Sequence, residues 1–81
     1  MSMIDTKQLI TLVNANAVKN VEVHGTDGGF TIIVDNNLLE AKRGHTRIFR
    51  KLHTAATYLK INGIGKFTVD LSTWHPDQNA I

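Results

Sequence analysis

The chain has 81 residues, no cysteine and a formal net charge of +2. This length supports one domain with a modest core and leaves little volume for a buried multi-residue active site. The lack of cysteine excludes a disulfide framework and a thiolate zinc site. Because no apolar run reaches membrane-spanning length and the N-terminus lacks a signal-peptide pattern, we expect a cytoplasmic protein with no membrane partner.

The first residues predict a helix from about Thr6 to Ala15. Asp5 is a favourable N-cap, and Gln8 three positions later resembles the capping-box arrangement. An apolar stripe continues at helical spacing. Its residues are Leu9, Leu12 and Val13. We expect this amphipathic helix to cover a sheet.

Two alternating segments predict a hairpin over residues 18–36. The apolar residues that alternate with polar ones are Val21, Val23, Phe30, Ile32 and Val34. Between them, residues 25–29 read GTDGG, which is dense in turn residues. No G-x-x-x-x-G-K pattern exists and no helix follows, so we interpret this segment as a turn and not as a phosphate-binding loop. Residues 35–37 form the next turn.

A second hairpin is predicted between Leu38 and Phe49, with Gly44-His45 as a two-residue turn, because glycine accepts the positive φ of a type II′ turn. This turn pairs Lys42 with Arg47 and Ala41 with Ile48. Alternation then places the two sets of side chains on opposite faces. Leu39, Ala41 and Ile48 share one face, and Glu40, Lys42, Arg47 and Phe49 share the other.

The segment 46–50 has an alternative interpretation. Thr46 could cap a helix that begins at Arg47, which would abolish the hairpin. We prefer the hairpin because the run Arg47-Ile48-Phe49 is rich in strand-forming residues and because Gly44 then has a conformational role.

A second helix is predicted after the hairpin, from about Leu52. One apolar stripe recurs at helical spacing and consists of Leu52, Ala55, Ala56 and Leu59. Gly63 can adopt the left-handed conformation after the helix end, and Ile64 can make the hydrophobic contact of a Schellman motif. We therefore expect the helix to end near Asn62.

The final strand is predicted over residues 66–71, with Phe67, Val69 and Leu71 on a buried face. Trp74 follows it, placed to pack over the sheet edge or a partner, and residues 76–81 are expected to form a frayed tail. The sequence thus predicts one small α+β domain over residues 1–81, with the order α-β-β-β-β-α-β, in which an antiparallel meander carries both helices on one face.

The other sheet face is expected to be polar and free to meet water or a second copy of the chain. Its predicted residues are Glu22, His24, Thr31, Ile33, Asp35, Thr68 and Asp70. We therefore expect a homodimer that forms through a sheet face or an edge strand.

Enzyme and metal sites lack support in the sequence. The histidines His24, His45, His53 and His75 have no metal-binding spacing, so we expect no metal and no cofactor. Asp70, Ser72 and His75 contain the letters of a catalytic triad but no nucleophile elbow. We expect no catalytic residue and no enzyme.

The basic residues cluster in one stretch with no acid between them. The candidate nucleic-acid-binding residues are Lys42, Arg43, His45, Arg47, Arg50 and Lys51. They could simply keep an exposed ribbon soluble, or they could contact phosphates, since a two-stranded ribbon can enter the major groove of duplex DNA. Phe49 nearby could stack on a base. The alternative is a protein-binding adaptor that docks through a sheet edge or face.

A resemblance supports these expectations. The positions Arg47-Ile48-Phe49, Leu52, Thr54-Ala55-Ala56, Leu59, Gly63-Ile64, Phe67 and Val69-Asp70 resemble the small ParC-type accessory proteins that bacterial plasmids encode beside partition genes. The similarity covers about residues 39–74. It implies a role in plasmid maintenance, with contacts to DNA or to a partition-system protein, and it assigns no catalytic residue. A weaker likeness is to double-stranded-RNA-binding domains, which share an α-β-β-β-α order but lack the last strand.

Overall fold

The computed structural model describes residues 2–75. The chain has the predicted α+β fold and the predicted order of elements, with an additional two-residue strand before the first helix. The elements are β1 (Met3–Ile4), α1 (Thr6–Asn14), β2 (Val21–Thr26), β3 (Gly29–Val34), β4 (Asn37–Lys42), β5 (His45–Thr46), α2 (Leu52–Ile61) and β6 (Thr68–Asp70). The expected frayed tail, residues 76–81, lies outside the described residues.

The sheet is mixed. β2, β3 and β4 form the predicted antiparallel meander, and β5 pairs with β4. Across the sheet the order is β1-β4-β3-β2-β6, and both outer strands are parallel to their neighbours. A parallel neighbour cannot be reached through a tight hairpin. α2 therefore carries the chain across to the far edge, where β6 lies beside β2.

The core lies between the two helices and one face of the sheet. Alternate residues of β2 and β3 point into it, because side chains alternate along a strand. The buried apolar residues are Ile4, Leu9, Val21, Val23, Phe30, Ile32, Val34, Leu39, Phe49, Ala55, Leu59 and Ile64. Since Leu9 of α1 and Leu59 of α2 belong to this one cluster, both helices cover the same face, as the sequence predicts.

The predicted helix ends are confirmed. The Asp5 carboxylate accepts the Gln8 backbone N–H at 2.7 Å, and the Gln8 side-chain oxygen accepts the Asp5 N–H at 3.0 Å, which completes the capping box. At the end of α2, Gly63 has a φ of 91°, and the Ile64 N–H donates to the Leu59 carbonyl at 2.9 Å. This is the hydrogen bond of a Schellman motif. Neither helix is long and apolar enough to cross a membrane among the described residues.

The glycine-rich segment between β2 and β3 is a tight turn, as predicted. β2 continues to Thr26 and β3 begins at Gly29, so that only Asp27-Gly28 connects them. The next turn is Asp35-Asn36, whose φ angles are 48° and 68°. Asp and Asn tolerate this left-handed conformation, which a type I′ hairpin turn requires at both positions.

The β4–β5 hairpin is present, but its predicted register is wrong. The turn is Arg43-Gly44 and not Gly44-His45, because Lys42 pairs with His45. Glu40 pairs with Thr46, so an irregularity leaves Ala41 as the extra residue between the two pairs. An extra residue on one strand reverses the alternation that follows it.

The irregular register also corrects the predicted faces. Ile48 was expected to share a face with Leu39, and Phe49 was expected on the opposite face. In the structure Phe49 is buried like Leu39, with 5% of it exposed, whereas 55% of Ile48 is exposed. Phe49 instead pairs with Phe30 at the start of β3 through two backbone hydrogen bonds of 2.7 and 2.8 Å. The alternative helix beginning at Arg47 is therefore excluded, and α2 begins at Leu52.

The last strand is shorter and more exposed than predicted. β6 spans Thr68–Asp70 and pairs with β2 as the sheet edge. Phe67 packs against the core, but Val69 and Leu71 remain 40% and 44% exposed. An edge strand has a neighbour on one side only, so its inward-facing residues are incompletely covered. The face predicted to be buried is therefore covered at Phe67 but only partly covered at Val69 and Leu71.

Candidate nucleic-acid interface

The tip of the β4–β5 hairpin carries three of the six predicted site residues. Lys42, Arg43 and His45 are all exposed there. Gly44 forms the turn with a φ of 80°, a conformation that favours glycine. The Glu40 carboxylate folds back towards this turn and accepts the Gly44 N–H at 3.1 Å. The tip therefore combines two permanent positive charges with one nearby carboxylate.

Arg47 lies apart from the tip and is held in place by aromatic rings. Its guanidinium carbon lies 5.0 Å from the centre of the Phe49 ring and 4.8 Å from that of the Tyr58 ring. Such cation–π contacts orient the guanidinium and leave its N–H groups available around the edge. The Tyr58 hydroxyl is hydrogen-bonded to the Thr6 hydroxyl at 2.7 Å, which fixes the ring between the two helices. Arg47 is therefore a half-buried, pre-oriented cation.

Arg50 and Lys51 lie in a third position, beside a groove at the start of α2. The groove also contacts the turn between β2 and β3 and the segment after β6, including Trp74. Lys51 is the N-cap residue of α2, and its side chain makes no capping hydrogen bond. The six predicted residues are thus divided between the hairpin tip, the Arg47 stack and this groove.

The charges of the lysines and arginines are not neutralised within the described structure. The close charged pairs among residues 2–75 all involve a histidine: His24 with Glu22, His24 with Asp70, and His75 with Asp27. No Lys or Arg is paired with a carboxylate among them. The basic residues can therefore attract an external anion.

The structure brings three of the residues expected on the open face of the sheet into one close group, which was not expected. Glu22 and His24 are two residues apart on β2, and Asp70 on β6 lies opposite His24. The His24 Nδ1 atom is 3.2 Å from Glu22 Oε1 and 3.8 Å from Asp70 Oδ2. The histidine spacing considered from the sequence could not reveal this group, because its other members are carboxylates on two strands. The signal available in the sequence was the spacing of Glu22 and His24, because residues two positions apart on a strand lie on the same face.

The side chains of Glu22, His24 and Asp70 are close enough together to act as ligands of one metal ion. One ligand atom from each residue lies within 4.8 Å of the others, and all three residues are partly exposed. Three such ligands are fewer than the four protein ligands of a structural zinc site. The hydroxyl and backbone N–H of Ser72 both donate to Asp70 and lower the pKa of its carboxyl. The polar atoms of the group are therefore already engaged by protein partners: His24 by Glu22 and Asp70 by Ser72.

Asp70, Ser72 and His75, whose residue types are those of a catalytic triad, do not come together in the structure. Ser72 is bonded to Asp70, but the His75 Nε2 atom lies 3.6 Å from Asp27 Oδ1 on another part of the surface. Trp74, whose position the sequence left open, packs at 5.8 Å from the Phe30 ring. Tyr58 and Trp74 are thus the aromatic neighbours of the basic residues, in addition to the predicted Phe49.

Comparison with known proteins gives one match. The ParC-like family model matches residues 4–78, which extends the resemblance seen over residues 39–74 to include the first helix and the first hairpin. No curated protein and no solved structure gives a significant match. Since the family model covers most of the chain, this protein belongs to the ParC-like family.

Proposed function

We propose that this protein is a non-enzymatic accessory protein of plasmid partition that contacts duplex DNA through its basic hairpin. The family match indicates a role related to plasmid partition. The observation that carries the DNA contact is the exposure of Lys42 and Arg43 at the hairpin tip, with no carboxylate paired to either among the described residues.

Arg47 offers a second phosphate contact, apart from the hairpin tip. Its guanidinium is already oriented by Phe49 and Tyr58, so less side-chain entropy is lost when it binds an anion. Phe49 itself is buried and does not stack on a base. The contact that we propose is therefore with phosphates, which position a protein on DNA without reading sequence.

We further propose that the protein acts as a homodimer. The free edge of β6, where Val69 is 40% exposed, is the sheet edge that best fits a second copy. A dimer would carry two hairpin tips. This would strengthen a contact that is weak for a single chain.

Salt dependence tests the DNA contact. Binding of labelled duplex DNA should weaken steeply with salt, by about 0.9 units of log–log slope per phosphate neutralised. In the double variant Lys42→Ala/Arg43→Ala, the slope should become shallower by about 1.8 units if each residue neutralises one phosphate. The matched control is Lys7→Ala/Lys60→Ala, which removes two exposed lysines from the helices and should leave the slope unchanged. No binding at low salt, or equal effects of the two double variants, would contradict the proposal.

A protein-binding adaptor is the second candidate function. The groove beside Trp74 favours it, because this groove combines apolar and charged side chains as protein interfaces do. If the chain binds a partition protein but no duplex DNA, the adaptor function is favoured. A double-stranded-RNA-binding role has less support, because the parallel strand β6 extends the sheet beyond the α-β-β-β-α arrangement.

A further inference from the structure

The groove beside Trp74 lies between three segments of the chain. These are the turn between β2 and β3, the start of α2, and the residues that follow β6. Its volume is about 580 Å³, within the range of about 300–1,000 Å³ that is usual for ligand sites. The apolar lining residues are Phe30, Leu52, Leu71 and Trp74, and the basic ones are Arg50 and Lys51.

The apolar part of the groove is preformed. The centre of the Trp74 ring lies 5.8 Å from that of the Phe30 ring. The backbone N–H of Trp74 donates to the Leu71 carbonyl at 3.0 Å. Gly25 makes this packing possible, since a Cβ atom there would lie 2.7 Å from the Trp74 Cβ. Leu71 remains 44% exposed beside the indole. An apolar side chain could therefore enter without a rearrangement of the fold.

The positive charges of Arg50 and Lys51 favour an acidic ligand in the groove. Arg50 and Lys51 are exposed on one rim, and neither is paired with a carboxylate within residues 2–75. On the other rim, the Asp27 carboxylate lies 3.6 Å from His75. The groove thus offers two unneutralised cations to carboxylates at one side of an apolar floor.

We propose that this groove binds an acidic peptide segment of a partner protein. One leucine or phenylalanine side chain of the peptide packs against Trp74 and Leu71, and flanking carboxylates meet Arg50 and Lys51. A nucleobase fits less well, because its polar edges need hydrogen-bond partners and the side chains of Phe30, Leu52 and Leu71 offer none. This interaction does not depend on the proposed DNA contact.

Trp74 is the only tryptophan in the chain, so its fluorescence reports directly on the groove. The probe is a short synthetic peptide in which glutamates flank Leu-Phe, and it is compared with the same peptide carrying lysines and with single-stranded oligothymidine. The glutamate peptide should change the Trp74 emission saturably. The lysine peptide should bind about tenfold more weakly or not at all.

Two charge-reversed variants locate the site. Arg50→Glu/Lys51→Glu should weaken binding of the glutamate peptide by about tenfold or more. The matched control, Lys42→Glu/Arg43→Glu, makes the same charge change at the hairpin tip and should leave peptide binding unchanged. Circular dichroism of each variant confirms that it is folded. Equal weakening in both variants, no saturable change with the glutamate peptide, or tighter binding of oligothymidine that depends on Arg50 and Lys51 would each overturn the proposal.

Discussion

At the scale of single residues, Gly29 has the most restricted position in the sheet. It has a φ of 134°, and a Cβ atom there would collide with the Phe49 carbonyl oxygen. The adjacent residue Phe30 donates its N–H to that same oxygen at 2.7 Å. Gly29 therefore allows the chain after the basic hairpin to lie against β3, which fixes where Arg50 and Lys51 enter the groove.

Three glycine-to-alanine variants separate the cost of a positive φ from the cost of a collision between the new Cβ atom and its neighbours. Gly28→Ala should change the free energy of unfolding little, because a Cβ there meets nothing within 4 Å and its φ is ordinary. Gly44→Ala has open space but a φ of 80°, and should cost about 1–2 kcal/mol. Gly29→Ala adds the collision and should cost about 3 kcal/mol or more. Denaturant melts give the three values, and a Gly29→Ala variant no less stable than Gly44→Ala would contradict this interpretation.

Asp70 should show a pH effect whose sign the structure gives. The hydroxyl and N–H of Ser72 donate to its carboxylate and lower its pKa, with a smaller contribution from His24. A group whose folded pKa is lowered contributes stability above its ordinary pKa, and this contribution is lost as the pH falls through the lowered value. Ser72→Ala should raise the Asp70 pKa towards its ordinary value in an NMR titration. Ser2→Ala, which removes a distant serine hydroxyl, should leave it unchanged.

At the scale of elements, α2 shows that helical periodicity predicted a buried face correctly. Leu59 and Ala55 are fully buried, whereas Thr57 is exposed and donates its hydroxyl to the His53 carbonyl at 2.9 Å. Leu59→Ala should therefore lower the free energy of unfolding by about 2–5 kcal/mol. Thr57→Ala, on the other side of the helix, should change it little. Equal effects in urea melts would place the buried face elsewhere.

The β4–β5 hairpin shows where periodicity fails. The prediction assumed uninterrupted alternation from Leu39 to Phe49, but the irregularity at Ala41 reverses the faces beyond it. Nothing in the local sequence marks such a bulge. What decides the outcome is a distant contact: Phe49 pairs with Phe30, which buries a large ring and leaves Ile48 in solvent.

For the candidate site, too, the sequence predicted the residues but not the contacts between them. The residue types of Lys42, Arg43 and Arg47 were enough to identify a basic surface. Their separation into a hairpin tip, an aromatic stack and a groove depends on Tyr58 and Trp74, which the chain brings in from 11 positions after Arg47 and from beyond β6. Local sequence patterns carry no information on such contacts.

At the scale of the whole molecule, the order of elements was predictable but the sheet edges were not. Both helices have one apolar stripe each, and covering one sheet face is the simplest way to bury both. The sequence does not specify which edge the last strand joins. In the structure β6 lies beside β2 and parallel to it, so that Thr68–Asp70 forms the outer edge and not a continuation of the meander.

That edge gives the proposed dimer a specific register. If two β6 strands pair antiparallel about Thr68, Lys66 of each copy lies opposite Asp70 of the other, and Phe67 lies opposite Val69. Opposite charges in such cross-strand pairs are stabilising and like charges are destabilising. The arrangement is self-complementary, as a two-fold interface requires.

A charge swap tests this register. Lys66→Asp places two carboxylates opposite each other at both ends of the paired strands, and should shift the monomer–dimer equilibrium towards monomer. The double variant Lys66→Asp/Asp70→Lys restores opposite charges and should recover the dimer, although it removes the hydrogen bonds between Asp70 and Ser72. Sedimentation equilibrium over a range of protein concentrations measures all three proteins, with Lys7→Asp as a control for the change in net charge. A wild type that stays monomeric, or a double variant that stays as dissociated as Lys66→Asp, would show that the copies do not meet through this edge, because only paired β6 strands couple these two positions.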